Sequence, residues 1–138
     1  MLVIGITSRA LFDLDFSHKI FKKNGLEPYR KFQISNENIP LQPGRAFPLV
    51  KKLLSLNKKI TGQRSVEVIL LSKNSSDTGL RIFNSIEHHN LDIKRAVFCS
   101  GGSPHAYAKS FGAHLFLSTE SSDCKSAIKS GIASARIF

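Results

Sequence analysis

Two aspartates stand two residues apart near the start of the chain, in the segment Phe12-Asp13-Leu14-Asp15. Paired carboxylates at this spacing suit a phosphatase that forms an aspartyl-phosphate intermediate. In that chemistry the first carboxylate attacks phosphorus, the second protonates the leaving oxygen and then activates water, and Mg²⁺ screens the negative charge. The same spacing also occurs in helix caps and loops, so Asp13 and Asp15 have two open interpretations, one catalytic and one structural.

A second set of polar residues follows the predicted strands. Ligands of open parallel sheets bind beyond the carboxyl ends of the strands, where backbone N–H groups and helix N-termini converge. Side chains that donate hydrogen bonds and carry no repelling carboxylate suit a phosphate there. The candidate phosphate-binding residues are Thr7, Ser8, Arg9, Ser72, Asn74 and Lys109. Serines and glycines after strands are also ordinary turn residues, so a site for an anion and plain turns are both possible.

Short apolar runs predict the strands that must position these residues. Runs that are apolar on both faces are typical of parallel strands covered by helices on each side. They lie at residues 2–6, 66–71, 95–99, 114–117 and 135–138.

Helical patterns fill the gaps between the runs. Apolar residues recur at three- and four-residue steps from Ala46 to Ile60, and Gly25 and Pro28 interrupt a helical segment over residues 18–37. Ser76-Asp77, Ser103-Pro104 and residues 121–123 are predicted helix starts. The alternation predicts a three-layer, Rossmann-like α/β sandwich with a mostly parallel five-stranded sheet.

The composition narrows the class of protein. With 138 residues, 41% hydrophobic, the chain suits a single domain over residues 1–138. No apolar run is long enough to cross a membrane and no signal peptide is visible, which predicts a soluble cytoplasmic protein. Cys99 and Cys124 are too few for a disulfide framework.

The net charge of +10 favours an anionic partner, either a polyanion or a small phosphate. No zinc-finger, RNP or KH signature accompanies the charge, so a lysine-rich face exposed to solvent is favoured over a nucleic-acid-binding module, which stays an alternative.

Several segments resemble the cytosolic 5'-nucleotidase I family, in order and from Leu2 to Phe138. The most specific of them read SRALFD at residues 8–13, PGRAFPLVK at 43–51 and FNSIEH at 83–88; residues 78–81, 101–104 and 115–118 fit as well. The resemblance implies a haloacid-dehalogenase-like fold and hydrolysis of nucleoside 5'-monophosphates with Mg²⁺. It also implies that this chain corresponds to the N-terminal half of a longer protein whose strong phosphatase motifs lie in a second, similar segment.

Overlaying this chain on that second segment, strand for strand, predicts lost catalytic acids. The nucleophile position falls on Thr7 and the acid/base position falls on Arg9. The paired metal-binding acids fall on Ser118 and Thr119. Threonine cannot replace aspartate in forming an acyl phosphate, and hydroxyls leave Mg²⁺ few hard ligands.

The same overlay keeps two phosphate contacts, the hydroxyl of Ser72 and the ammonium of Lys109. The resemblance therefore implies a domain that binds phosphate or a nucleoside monophosphate but has degenerate catalytic acids. It leaves open whether the chain alone is catalytic, and whether a second copy or a missing second half completes the site.

Two registers of the first strand compete. In one, the strand runs through Phe12, and Asp13 and Asp15 form the catalytic pair. In the other, it ends near Ile6. An arginine in a strand buried on both faces costs several kcal/mol unless it is paired, so Arg9 favours the second register.

Overall fold

A sheet of five parallel strands forms the centre of the computed structural model, which describes residues 1–58 and 63–138. The strands are β1 Leu2–Thr7, β2 Val66–Ser72, β3 Arg95–Phe98, β4 Leu115–Ser118 and β5 Ala133–Arg136. Their order across the sheet is β3-β2-β1-β4-β5, and every neighbouring pair is parallel. The predicted α/β sandwich with a five-stranded sheet is confirmed.

The helices between the strands cover both faces of the sheet. They are α1 Ser8–Leu11, α2 Asp15–Asn24, α3 Leu26–Ser35, α4 Phe47–Ser55, α5 Ser76–His88, α6 Pro104–Ser110 and α7 Ser121–Lys129. A 3-10 turn, Leu56–Lys58, continues α4, and Ile60, which belongs to the predicted apolar pattern, lies outside the described residues. Gly25, with a φ of +88°, separates α2 from α3 as predicted, whereas Pro28 lies in the first turn of α3 and does not break it.

Alternating side chains of the strands divide the core into two parts. Ile4 and Ile6 of β1 face one side, where they pack with residues of α1, α4 and α5. Val3 faces the other side, which it shares with Ala108 of α6 and Ala127 of α7. The sheet is therefore the middle layer of three.

The outer strands are less buried than the sequence predicts. Every residue of β2 is buried, but β3 and β5 have only exposed or partly buried residues. These two strands are the edges of the sheet, so each pairs with a neighbour on one side only. The prediction that all five strands are buried on both faces is wrong for β3 and β5. The fifth strand also begins two residues before its predicted start.

A buried carboxylate lies within the sheet. Glu67 of β2 is 7% exposed and accepts two hydrogen bonds from Arg95 of β3, from Nε at 2.8 Å and from Nη2 at 2.7 Å. Each carboxylate oxygen accepts one of these hydrogen bonds, so the positive charge of Arg95 neutralises the buried charge of Glu67.

No helix within residues 1–58 and 63–138 has both the length and the apolar composition that a membrane span requires.

Gly44 should be intolerant of any side chain. A Cβ added at this position would lie 2.7 Å from the carbonyl carbon and 2.8 Å from the nitrogen of Phe12, and backbone atoms cannot rotate away. We expect Gly44→Ala to lower the free energy of unfolding by about 1–3 kcal/mol, the usual cost of overpacking. Urea denaturation checks this, with Gln42→Ala, an exposed position of the same loop, as a control within about 0.5 kcal/mol of the parent. Equal stability of the two variants would contradict the close approach of this loop to Phe12.

Candidate functional site

A cavity of about 790 Å³ lies beyond the carboxyl ends of β1, β2 and β4. Thr7 and Ser8 line it at the end of β1, Asn74 and Ser75 line it after β2, and Thr119 lines it after β4. Its volume falls in the range of roughly 300–1,000 Å³ that is typical of small-molecule sites. The carboxyl ends of the strands, which are predicted to hold a ligand, therefore border a concave surface, and hydroxyl and amide side chains line it.

Thr7 is the last residue of β1 and stands where the overlay on the family places the nucleophile. It is 8% exposed, lines the cavity, and its Oγ1 has no hydrogen-bond partner among the residues the structure describes. A buried hydroxyl without a partner costs about 1–3 kcal/mol. The Oγ1 of Thr7 is thus a polar atom beside the cavity that the described residues leave unsatisfied.

Ser72 is the last residue of β2 and is fully buried. It is not among the described residues that line the cavity, and it affects the site only through its hydrogen bonds to neighbouring residues. Asn74 donates to its Oγ twice, from the backbone N at 3.2 Å and from Nδ2 at 3.0 Å, which uses both lone pairs. The proton of Ser72 is therefore directed to the Oγ of Ser8, 3.2 Å away. Ser8, which lines the cavity, keeps its own proton for a ligand.

Arg9 lies in the helical turn α1 and not in a strand. Its Nη1 is 3.1 Å from Oε1 of Glu120, and its Nη2 is 3.5 Å from Oδ1 of Asp15. These contacts place a paired guanidinium on the cavity wall, where it connects α2 to the loop that follows β4.

The structure places Asp13 and Asp15 beyond the end of β1, after the helical turn α1. Because β1 ends at Thr7 and α1 follows directly, the register that continues the strand through Phe12 is wrong. Asp13 is exposed, and its Oδ1 accepts the backbone N–H of Asp15 at 3.1 Å where α2 begins. Both aspartates line a second cavity, of about 500 Å³, which shares Arg9 and Thr119 with the main one. The geometry thus favours the structural interpretation of this pair.

Lys109 is exposed near the end of α6 and is not among the described residues that line the cavity. Lys73, directly after β2, lines it instead, and its Nζ is 3.0 Å from Oδ2 of Asp123. Lys73 lies between the candidates Ser72 and Asn74, directly after the second predicted strand, and this place in the chain is the signal that it lies at the site.

The α2–α3 hairpin contributes residues to the cavity that no motif in the sequence indicates. His18, Phe21 and Tyr29 form an aromatic group there, with ring centroids 6.3 Å apart for the first pair and 5.8 Å for the second. Burial, followed by the charges of Arg9 and Lys22, lowers the pKa of His18. The three-residue step from His18 to Phe21 places them on one face of a helix, but only the tertiary packing shows that this face meets the strand ends.

Tyr29 connects this hairpin to the strand ends. Its hydroxyl donates to Oδ1 of Asn74, and burial raises its pKa. A hydrogen-bonded chain therefore runs from Tyr29 through Asn74 and Ser72 to Ser8. Chains of this kind polarise their members and fix their orientation.

Comparison with known proteins gives the family. A model of the 5'-nucleotidase family matches residues 1–138. The human protein Cytosolic 5'-nucleotidase 1B is 34% identical over 142 residues, which cover 99% of this chain. The chain belongs to the 5'-nucleotidase family. It spans 23% of the length of that human relative, so most of the relative lies outside the matched segment. No solved structure matches the chain.

The Mg²⁺ that the family resemblance implies does not fit the residues of this cavity. The four carboxylates that line the cavity are already paired with cations: Glu27 and Asp77 with Arg30, Glu120 with Arg9, and Asp123 with Lys73. Thr7, Ser118 and Thr119 offer hydroxyls where Mg²⁺ needs carboxylates. Within residues 1–58 and 63–138, no group of three or more His, Cys, Asp or Glu side chains could hold a metal ion.

Asp77, which lines this cavity, should make the free energy of unfolding depend on pH. It accepts hydrogen bonds from the Ser75 hydroxyl and from Nε of Arg30 at 2.5 Å, and these lower its pKa from 3.8 to about 2. Because the folded state then binds fewer protons than the unfolded state, this stabilisation is present above about pH 4 and is lost as the pH falls to about 2.

We therefore expect the stability advantage of the parent over Asp77→Asn to shrink between about pH 4 and pH 2. Urea unfolding of both proteins across this pH range measures the difference. An advantage that stays constant with pH would contradict the lowered pKa of Asp77.

Proposed function

We propose that this domain binds the phosphate of a nucleoside 5'-monophosphate at the carboxyl ends of β1 and β2, and does not hydrolyse it by itself. The observation that carries the proposal is the buried hydroxyl of Thr7, which has no partner among the described residues and lines the cavity. The family is named for action on 5'-nucleotides, which gives the substrate class.

The surroundings of Thr7 support anion binding. Ser8 holds a proton available to the cavity because Asn74 directs the Ser72 proton towards it. The N-termini of α5 and α7 reach the same cavity through Ser75 and Glu120, and helix N-termini favour negative charge.

The same surroundings do not support nucleophilic catalysis. An attacking hydroxyl needs a base to take its proton. Arg9, at the acid/base position of the overlay, carries a guanidinium that stays protonated and cannot accept a proton. Glu120, the carboxylate that follows β4, is paired with Arg9. Binding without turnover is therefore the function this geometry favours.

In the longer proteins of the family, we infer that a domain of this kind supports a nucleotide site whose acids and Mg²⁺ belong to another segment. That a second copy of this chain takes the place of the other segment remains a prediction. The human relative is named as cytosolic, and we propose the same compartment for this chain.

Titration of the chain with inorganic phosphate and with AMP, followed by calorimetry, tests binding. We expect Thr7→Val and Ser8→Ala each to weaken binding about five- to tenfold, the usual worth of one hydrogen bond. Ser110→Ala is the matched control, because its hydroxyl bonds to the carbonyl of Ala106 on the exposed end of α6. We expect EDTA and MgCl₂ to leave all these affinities unchanged.

A phosphate-release assay with AMP and CMP tests the second half of the proposal. No release is expected with or without Mg²⁺. Steady Mg²⁺-dependent release that Asp13→Asn abolishes would overturn the proposal and restore a catalytic role for that aspartate.

A further inference from the structure

The wall that the α2–α3 hairpin gives to the main cavity is apolar and aromatic. Leu14, Phe21, Leu26 and Tyr29 line the cavity together with the hydroxyls at the strand ends. The cavity therefore combines two kinds of surface, one suited to a phosphate and one suited to a flat apolar group.

Two of these apolar side chains are far from buried. Phe21 is 43% exposed and Leu26 is 61% exposed, although both line the cavity. The Phe21 ring is held in place by Tyr29, edge-on at 75°, and by His18, stacked at 27°. An exposed ring that its neighbours already orient loses little freedom when another ring packs on it.

We propose that this wall, with Phe21 as its main contact, receives the base of the nucleotide whose phosphate lies at Thr7 and Ser8. This inference rests on the proposed function. A base stacks on an aromatic side chain through its π-face, and such stacking tolerates any base. The cavity volume of about 790 Å³ has room for a phosphate, a sugar and a base together.

Hydrogen bonds connect the wall to the phosphate end of the cavity. Tyr29, which packs on Phe21, donates to Asn74, and Asn74 donates to Ser72. Arg30 of the same hairpin bonds to Asp77 at the start of α5. The wall is therefore anchored on the segment that follows β2, the same segment that holds Ser72 and, through it, Ser8.

The experiment compares the affinities of AMP, CMP, ribose 5-phosphate and inorganic phosphate for the full chain by calorimetry. We expect AMP and CMP to bind at least about tenfold more tightly than ribose 5-phosphate, as expected for one stacked base. We expect Phe21→Ala to remove most of that advantage while the affinity for inorganic phosphate stays unchanged.

Phe16→Ala is the matched control. Phe16 lies on the same helix, is 67% exposed, packs on Phe32 at 5.4 Å, and is not among the described residues that line the cavity. We expect this variant to bind every ligand as the parent does. Leu26→Ser, which changes the wall at an exposed position, should weaken AMP binding without affecting inorganic phosphate.

The outcomes separate this inference from the proposed function. If inorganic phosphate binds but AMP binds no more tightly than ribose 5-phosphate, the base wall is wrong and the phosphate site stands. If Phe21→Ala weakens AMP and inorganic phosphate equally, the ring acts through hairpin packing, which also overturns the inference. If neither phosphate nor any ester binds, the proposed function itself fails.

Discussion

The central strand, β1, ends at Thr7, and the chemistry of the whole site depends on which side chain stands at that position. The chain turns directly from β1 into α1, so the side chain at the rim of the sheet is a threonine hydroxyl, and Asp13 and Asp15 lie a helical turn and a loop farther on. Burial then leaves this hydroxyl without a partner among the described residues. A polar group in that position favours a ligand that accepts hydrogen bonds, and it cannot supply the acyl phosphate that a carboxylate would form.

The ion pairs around the cavity also favour the binding of an anion over metal-dependent catalysis. The carboxylates that line the cavity belong to Glu27, Asp77, Glu120 and Asp123, and each has an arginine or lysine beside it. A carboxylate that is already neutralised is a poor ligand for Mg²⁺, because the metal would have to displace the cation. The hydroxyl chain through Ser72 and Ser8 carries no charge that an incoming phosphate would have to overcome. The cavity is thus arranged for hydrogen bonding to an anion rather than for metal chemistry.

The sequence predicts the sheet well and the site only partly. The apolar runs of β1 and β2 predict their strands because both are buried on each face, and Gly25 predicts the break between α2 and α3. The runs do not tell which strands lie at the edges, so the exposure of β5 could not be foreseen. The sequence predicts Lys109 as a phosphate contact, both from its place in the chain and from the family overlay, whereas the structure brings Lys73 to the cavity. The position of a helical residue relative to the strand ends depends on how its helix packs, which the sequence does not show. The sequence does not indicate Phe21 and Tyr29 as site residues for the same reason, since nothing local shows that the hairpin lies over the strand ends.

A crystal structure of the chain grown with AMP and magnesium chloride tests the central claim most directly. The account predicts phosphate oxygens within hydrogen-bonding distance of the Thr7 and Ser8 hydroxyls, with no magnesium bound to a carboxylate of this chain. A phosphate held beside a magnesium ion on the Asp13 carboxylate, away from Thr7, would contradict it.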